Sequence, residues 1–267
     1  MERSIAVIGV GNMAKAIING IISSTLEVSR FRLFDTNPDT YKTLPSFSSF
    51  EYSSDIERAV DASDIVLLSV KPQNYTDVLK ILKNTDSYSK KLYISIAAGI
   101  SSESVSEALG GATVIRVLPN LPMTIGKGLS VICKNEKASD DDFEFVKKMF
   151  EAAGSILVID ENEMNRIIGV TSSSPAYVFR FINAIAEGAK KQGLDKEKLI
   201  NAICDVLIGS AYLLKNSGLS PEELISRVAS KGGTTQKALD KLDENSFDDI
   251  IAEAMIACTA RAEELGK

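Results

Sequence analysis

The sequence predicts two unlike halves: an α/β amino-terminal domain built on a mostly parallel sheet, followed by an all-α carboxy-terminal domain. Three observations predict this. Short β-branched runs alternate with helical apolar periods through the first 160 or so residues, the signature of βαβ units. The runs are apolar throughout rather than every second residue, as in strands covered on both faces. Beyond Ile159 strand runs cease and long helical periods take over.

Taken in order, residues 4–8 (SIAVI) read as a buried strand ending in glycine, and residues 12–22 (NMAKAIINGII) have helical apolar spacing. Strands follow at 30–35 (RFRLFD), 65–70 (IVLLSV), 92–97 (LYISIA) and 113–118 (TVIRVL), with helices near 74–82 and 102–109 between them. Two further strands, near 129–133 and 156–159, flank a helix at 140–153 for which Gly154 is the expected C-cap. Residues 176–191, 196–215, 220–229, 235–244 and 247–265 all read as helices. Ser220-Pro221-Glu222-Glu223 supplies a capping Ser, a first-turn Pro and two acids suited to the helix dipole. The boundary falls near 160–163, giving domains of 1–161 and 162–267.

Composition narrows the chemistry. The chain has 267 residues, 45% hydrophobic and 25% charged, which is ordinary globular usage. A net charge of −6 argues against nucleic-acid binding, where affinity rests on Lys and Arg. No apolar run approaches the roughly 18 residues a bilayer span needs. The chain enters a strand pattern at once, so no signal peptide is expected. With no His, imidazole-based triads, acid–base catalysts and metal sites are excluded. Cys133, Cys204 and Cys258 lie far apart, so neither a zinc knuckle nor a redox pair is expected. They read as reduced core thiols of a cytoplasmic protein.

Gly9-Val10-Gly11-Asn12-Met13-Ala14 fits G-x-G-x-x-A between a predicted strand and a predicted helix, the context of a Rossmann dinucleotide site. Gly9 permits the tight turn, Gly11 lets backbone approach a pyrophosphate, and Ala14 allows close helix–strand packing. The helix terminus then offers free N–H groups to phosphate. Asp35, 21 residues after Ala14, closes the second strand, where an acid can hydrogen-bond a ribose 2′-hydroxyl. It favours NADH over NADPH, since it would repel a 2′-phosphate unless Arg30 or Arg32 offset it.

A second constellation lies at 226–240 (SRVASKGGTTQKALD). A helix ends, Gly232-Gly233 allows unusual dihedrals, and Thr234-Thr235 starts the next helix. Unpaired backbone N–H groups and nearby hydroxyls can seat a small carboxylate; the same spacing also suits an ordinary helix–helix turn. Thr171-Ser172-Ser173-Ser174-Pro175 is a second hydroxyl cluster, read on its own as a helix start.

In order, GVGNMAKA, SVKPQ (69–73), SIAAGIS (95–101), RVLPNLP (116–122), SSSPAYVF (172–179) and SKGGTTQKAL (230–239) resemble the Δ1-pyrroline-5-carboxylate reductases over nearly the whole chain. The resemblance implies a Rossmann domain and a helical domain that binds substrate and builds interlocked homodimers, often assembled into rings. It also implies reduction of the imine of L-1-pyrroline-5-carboxylate to L-proline by NADPH or NADH, the last step of proline biosynthesis. By position, the cofactor would be held by Ile8, Gly9, Val10, Gly11, Asn12, Met13, Ser69, Val70, Lys71, Pro72, Ala97 and Ala98, alongside Asp35 read above. The substrate carboxylate would sit on Ser230, Gly233 and Thr234, with Thr235 bonded to the ring nitrogen as the catalytic residue. Glu161 best matches an acid near proline in the family, with Glu163 close by; no metal is implied.

The sequence departs from the family pattern at Lys231, where a proline is common, at Leu121, where Thr is usual, and at 171–177, where S-G-S-G-P-A-Y is frequent and the chain reads Thr171-Ser172-Ser173-Ser174-Pro175-Ala176-Tyr177. A protonated cyclic imine is already an electrophile, so the absence of His suits the reaction, which needs positioning rather than a strong base. Two alternatives remain open at this point: a related imine or hydroxyacid reductase, and a nucleotide-binding regulatory homologue without turnover.

Overall fold

The computed structural model describes residues 3–266. Eight strands form one sheet: β1 (Arg3–Ile8), β2 (Val28–Phe34), β3 (Phe50–Tyr52), β4 (Ile65–Leu68), β5 (Leu92–Ser95), β6 (Thr113–Leu118), β7 (Gly128–Lys134) and β8 (Gly154–Val158). They lie in the order β3-β2-β1-β4-β5-β6-β7-β8. Every neighbouring pair is parallel except β6 and β7, where Val117 faces Ile132 in antiparallel register. Strand order reverses between β2–β1 and β4, so the crevice at the carboxyl ends of β1 and β4 is the topological switch point where α/β sheets bind ligands.

The pleat sends alternate residues to opposite faces. Ile5 and Val7 of β1 join Phe31, Leu33, Ile65 and Leu67 in one core, covered by α1 (Asn12–Ile22) and α5 (Asp140–Glu151). Ala6 and Ile8 join Val66, Leu68, Tyr93 and Val114 in the other, covered by α2 (Ile56–Asp61), α3 (Tyr75–Leu82) and α4 (Ser102–Ala108). α1 buries Ala14, Ile17, Ile18 and Ile21, spacings of three, one and three that define a helical face.

Three details differ from expectation. β3 and α2 have only three and six residues, too short for periodicity to reveal. The strands at 65 and 92 stop at Leu68 and Ser95, and the residues beyond them turn into loops. Gly154 does not cap α5: Ala152 does, and Gly154 opens β8 at φ +153°, where a Cβ would collide with the Gly128 carbonyl.

The rest of the chain is helical: α6 (Met164–Ile167), α7 (Ser174–Lys191), α8 (Lys196–Ser217), α9 (Pro221–Val228), α10 (Thr234–Asp243) and α11 (Phe247–Leu265). The chain clusters into two compact units. One runs to Ser173 and regains the chain from Ile256; the other is Ser174–Met255. The first unit reaches past residue 161 because Met164 and Ile168 bury with Leu118, Val131 and Ala262. The last turns of α11 therefore belong to the sheet unit's packing. In the second unit, α8, α9 and α10 bury no residue at all in the single chain.

Candidate active site

The glycine loop follows β1 directly. Gly9 sits at φ +91°, and a Cβ there would lie 2.8 Å from the Ser69 carbonyl oxygen, so only glycine lets the loops after β1 and β4 close on each other. A Cβ on Gly11, by contrast, would meet nothing within 4 Å. Gly11 is the N-cap of α1, and no side chain caps that end. Open space in front of bare helix N–H groups is the arrangement a pyrophosphate requires, and the residues present fit a dinucleotide. Ile8 and Val10 turn their side chains into the core, which leaves only their backbone to face a ligand.

Asp35 lies just past β2. Its Oδ2 accepts the Val10 N–H at 2.7 Å and its Oδ1 accepts the Asn37 N–H at 2.8 Å. The carboxylate thus ties the glycine loop to the end of β2 while retaining lone pairs for a further donor. Arg30 and Arg32 both face Glu51, at 3.7 Å and 3.3 Å, and Arg32 also donates to the Ala62 carbonyl. They are committed to that pairing rather than to Asp35.

Ser69–Pro72 leaves β4 and enters a 3-10 turn at Pro72–Asn74, with Lys71 as its extended, exposed N-cap. The buried Tyr75 hydroxyl donates to the Leu68 carbonyl at 3.0 Å and lies 3.0 Å from Ser95 Oγ, joining the carboxyl ends of β4 and β5 beneath the loops. The β5 loop carries Ala97 and Ala98. It passes through Gly99 at φ +83°, where a Cβ would collide with the Ala262 carbonyl of α11. The sheet therefore brings together the glycine loop, Asp35, Ser69–Pro72 and the Ala97–Ala98 loop at one edge.

In the second unit, α9 ends at Ala229 and Gly232 turns at φ +76°. Gly233 is the N-cap of α10, again with no side-chain cap, and its N–H donates to the Ser230 carbonyl at 2.9 Å. A Cβ at Gly233 would lie 2.6 Å from Ser230 Oγ, so the hydroxyl lies close against the turn. Thr234 is exposed and Thr235 half-buried. The turn thus presents helix N–H groups, Ser230 Oγ and a threonine hydroxyl together. Lys231 is exposed at its outer side.

Glu161 opens a 3-10 turn after β8 and points back at the sheet. Its Oε1 accepts Arg116 Nη1 at 2.6 Å; its Oε2 accepts Ser102 Oγ at 2.7 Å and Cys133 Sγ at 3.0 Å. Arg116, on β6, is 1% exposed and also donates to Asn165 Oδ1 at 2.7 Å. Burial pushes the Glu161 carboxyl up, but bonds from Ser102, Cys133 and Arg116 outweigh it and hold it below the ordinary value of 4.5. Burial and the adjacent carboxylate push the Cys133 thiol up, so it stays protonated and donates. Glu163 stands outside this network. Sequence reasoning passed over Arg116, Ser102, Cys133 and Asn165. The signal was a charged residue inside the apolar run TVIRVL, since a buried cation demands a partner.

Residues 161–265 match the family model described as pyrroline-5-carboxylate reductase dimerisation. Residues 4–99 match the model described as NADP oxidoreductase coenzyme F420-dependent. Over 271 residues the chain is 36% identical to the pyrroline-5-carboxylate reductase of Vibrio alginolyticus, covering 100% of this chain and 98% of that one. The chain belongs to the pyrroline-5-carboxylate reductase family. It is also 33% identical over 270 residues to the Escherichia coli K12 reductase, covering 100% of both chains. The crystal structure of Plasmodium falciparum pyrroline carboxylate reductase with NADP bound matches at a TM-score of 0.88 and 25% identity, covering 99% of this chain and 98% of that one. Likeness that spans both units disfavours a hydroxyacid reductase sharing only the nucleotide domain. Full-length relatives named as reductases do not favour a homologue without turnover. Among the described residues no cluster of His, Cys, Asp and Glu could hold a metal, and no helix is long and apolar enough to cross a membrane.

Proposed function

We propose that this chain reduces the ring imine of L-1-pyrroline-5-carboxylate to L-proline, closing proline biosynthesis in the cytoplasm. The observation that carries the reading is a pair of uncapped helix N-termini, α1 behind Gly11 and α10 behind Gly233, each with the small residues an anion needs to approach backbone. The sheet unit supplies the first and the second unit, Ser174–Met255, the second.

The reduced nicotinamide, when bound, supplies the hydride. The chain's own residues hold and orient. Gly9, Gly11, Asn12 and Met13 offer backbone to the pyrophosphate, with Ile8 and Val10 shaping the loop. Ser69, Val70, Lys71 and Pro72 with Ala97 and Ala98 line the nicotinamide side, and Asp35 meets the adenine-side ribose, favouring NADH. On the substrate, Gly233 and Thr234 N–H groups and Ser230 Oγ hold the carboxylate. Thr235 Oγ accepts the iminium N–H, which fixes the ring's face and leaves the imine carbon (C2 of the pyrroline, C5 of the product proline) open to attack. Hydride addition at that carbon turns the iminium into the neutral secondary amine, so no side-chain base is needed. Alignment of this kind lowers barriers by several kcal/mol.

Apolar side chains exposed on the second unit, Val206, Ile208, Tyr212 and Val228 among them, support self-association, as a homodimer or a ring of dimers. The test is loss of reduced-nicotinamide absorbance with pyrroline-5-carboxylate and each cofactor in turn. Substrate-dependent oxidation with a higher kcat/KM for NADH is expected. No oxidation with either cofactor would overturn the reading.

A further inference from the structure

We infer that Glu161 is a positioning residue for the cofactor loop after β5, acting through Ser102, rather than a contact to the substrate. Its carboxylate lies between three segments of the sheet unit. Ser102, the first residue of α4, immediately follows the loop that carries Ala97 and Ala98, and its Oγ donates to Oε2 at 2.7 Å. Arg116 holds Oε1 from β6 at 2.6 Å, and Cys133 reaches Oε2 from β7 at 3.0 Å. Both oxygens are thus engaged inward. The donors Ser102 and Arg116 are 3% and 1% exposed and the Glu161 side chain 32%, so the carboxylate is held from its buried side, where a directed hydrogen bond fixes geometry strongly.

The loop needs such an anchor. From Ala97 to Ser101 it has left the β5 ladder and not yet entered α4. One restraint is steric: Gly99 packs against the Ala262 carbonyl of α11, too tightly for any Cβ. The other is Glu161, which holds the loop's far end through Ser102. Arg116 keeps the Glu161 carboxylate ionised and aimed, while Asn165 holds the second guanidinium nitrogen at 2.7 Å. Glu161 acts on cofactor binding through the loop it anchors, and both of its oxygens already accept from protein donors.

This inference rests on the proposed placement of the cofactor on Ala97 and Ala98, so the experiment separates the two. Hydrogen exchange of residues 96–102 is measured with and without NADH in the full-length protein, followed by NADH titration of S102A, E161Q, the double variant and C133A. Protection of the segment by NADH confirms the placement; no protection overturns both the placement and this inference. Given protection, S102A is expected to weaken NADH binding about fivefold and raise its KM alike, with the pyrroline-5-carboxylate KM within about twofold. S102A and E161Q should be less than additive, because the two side chains share one interaction. C133A, which leaves the loop tie intact, should bind NADH as the parent does. Unchanged NADH affinity in S102A, or an E161Q effect confined to the pyrroline-5-carboxylate KM, would overturn the inference and return Glu161 to the substrate. S102A carries the test alone if E161Q fails to fold.

Discussion

The two compact units solve the problem of burial differently. The sheet unit covers both faces of its sheet with its own helices, and Ile5, Val7, Leu33, Leu68, Ile94 and Val117 are essentially inaccessible. The second unit leaves Val206, Ile208 and Tyr212 more than 60% exposed, and three of its helices bury nothing within the chain. The contrast teaches that the sheet unit buries its apolar residues within the chain, while the helical unit leaves large apolar side chains uncovered. It carries over to the two anion sites. The glycine loop stands on the core beneath it, whereas the turn at Gly232–Thr235 joins two helices that bury no residue within the chain.

The strongest way to break this comparison is to charge the helical face. Val206→Glu with Tyr212→Glu should leave the sheet unit folded but turn the assembly into monomers in sedimentation, with activity falling to near background. An unchanged oligomer would mean that the exposed face is not the one covered. The next largest effect is chemical. Thr235→Ala should lower kcat/KM for pyrroline-5-carboxylate about a hundredfold, on the scale of losing one transition-state hydrogen bond. Thr235→Ser should keep most of the activity, and steady-state kinetics of the pair checks both.

Two smaller effects sharpen the picture of the sheet unit. Gly11→Val should raise the NADH dissociation constant about tenfold or more while leaving Tm almost unchanged, because its side chain enters ligand space rather than protein. Gly9→Ala should do the reverse first, costing about 1–3 kcal/mol of stability from strain at φ +91° and the Ser69 carbonyl contact. Calorimetry and NADH titration of both variants separate packing from binding. The smallest effect is on pH. Because Glu161 is held below its unfolded value of 4.5, its contribution is complete above about pH 4.5 and is lost as pH falls through the lower folded value. The acid limb of stability should therefore be shallower in Glu161→Gln than in the parent.

Much of this was legible because the sheet unit's signals are local. β1, the glycine motif, α1 and the acid after β2 are consecutive, and each has a steric or electrostatic reason visible in its residue types. The helix start at Ser220-Pro221 was equally plain: its capping box forms, with Ser220 accepting from Glu223 N–H and Glu223 reaching back to Ser220 N–H. What escaped was non-local or short. β3 has three residues and no period to detect. Gly154 resembles a C-cap in sequence but is glycine because Gly128 approaches from the neighbouring strand. The Glu161 cluster joins residues up to 59 positions apart, so only Arg116, a cation in an apolar strand, hinted at it. The return of α11 to Gly99 left no trace in periodicity, since it is a matter of topology.

The central claim, that an imino-acid carboxylate is held by the α10 terminus while the dinucleotide lies on the glycine loop, is tested most directly by a structure of the assembled protein with L-proline and NAD bound. The account predicts the proline carboxylate on the Gly233 and Thr234 N–H groups, its ring nitrogen at Thr235 Oγ, and the pyrophosphate over Gly11. Proline bound away from Thr234 and Thr235 would contradict it.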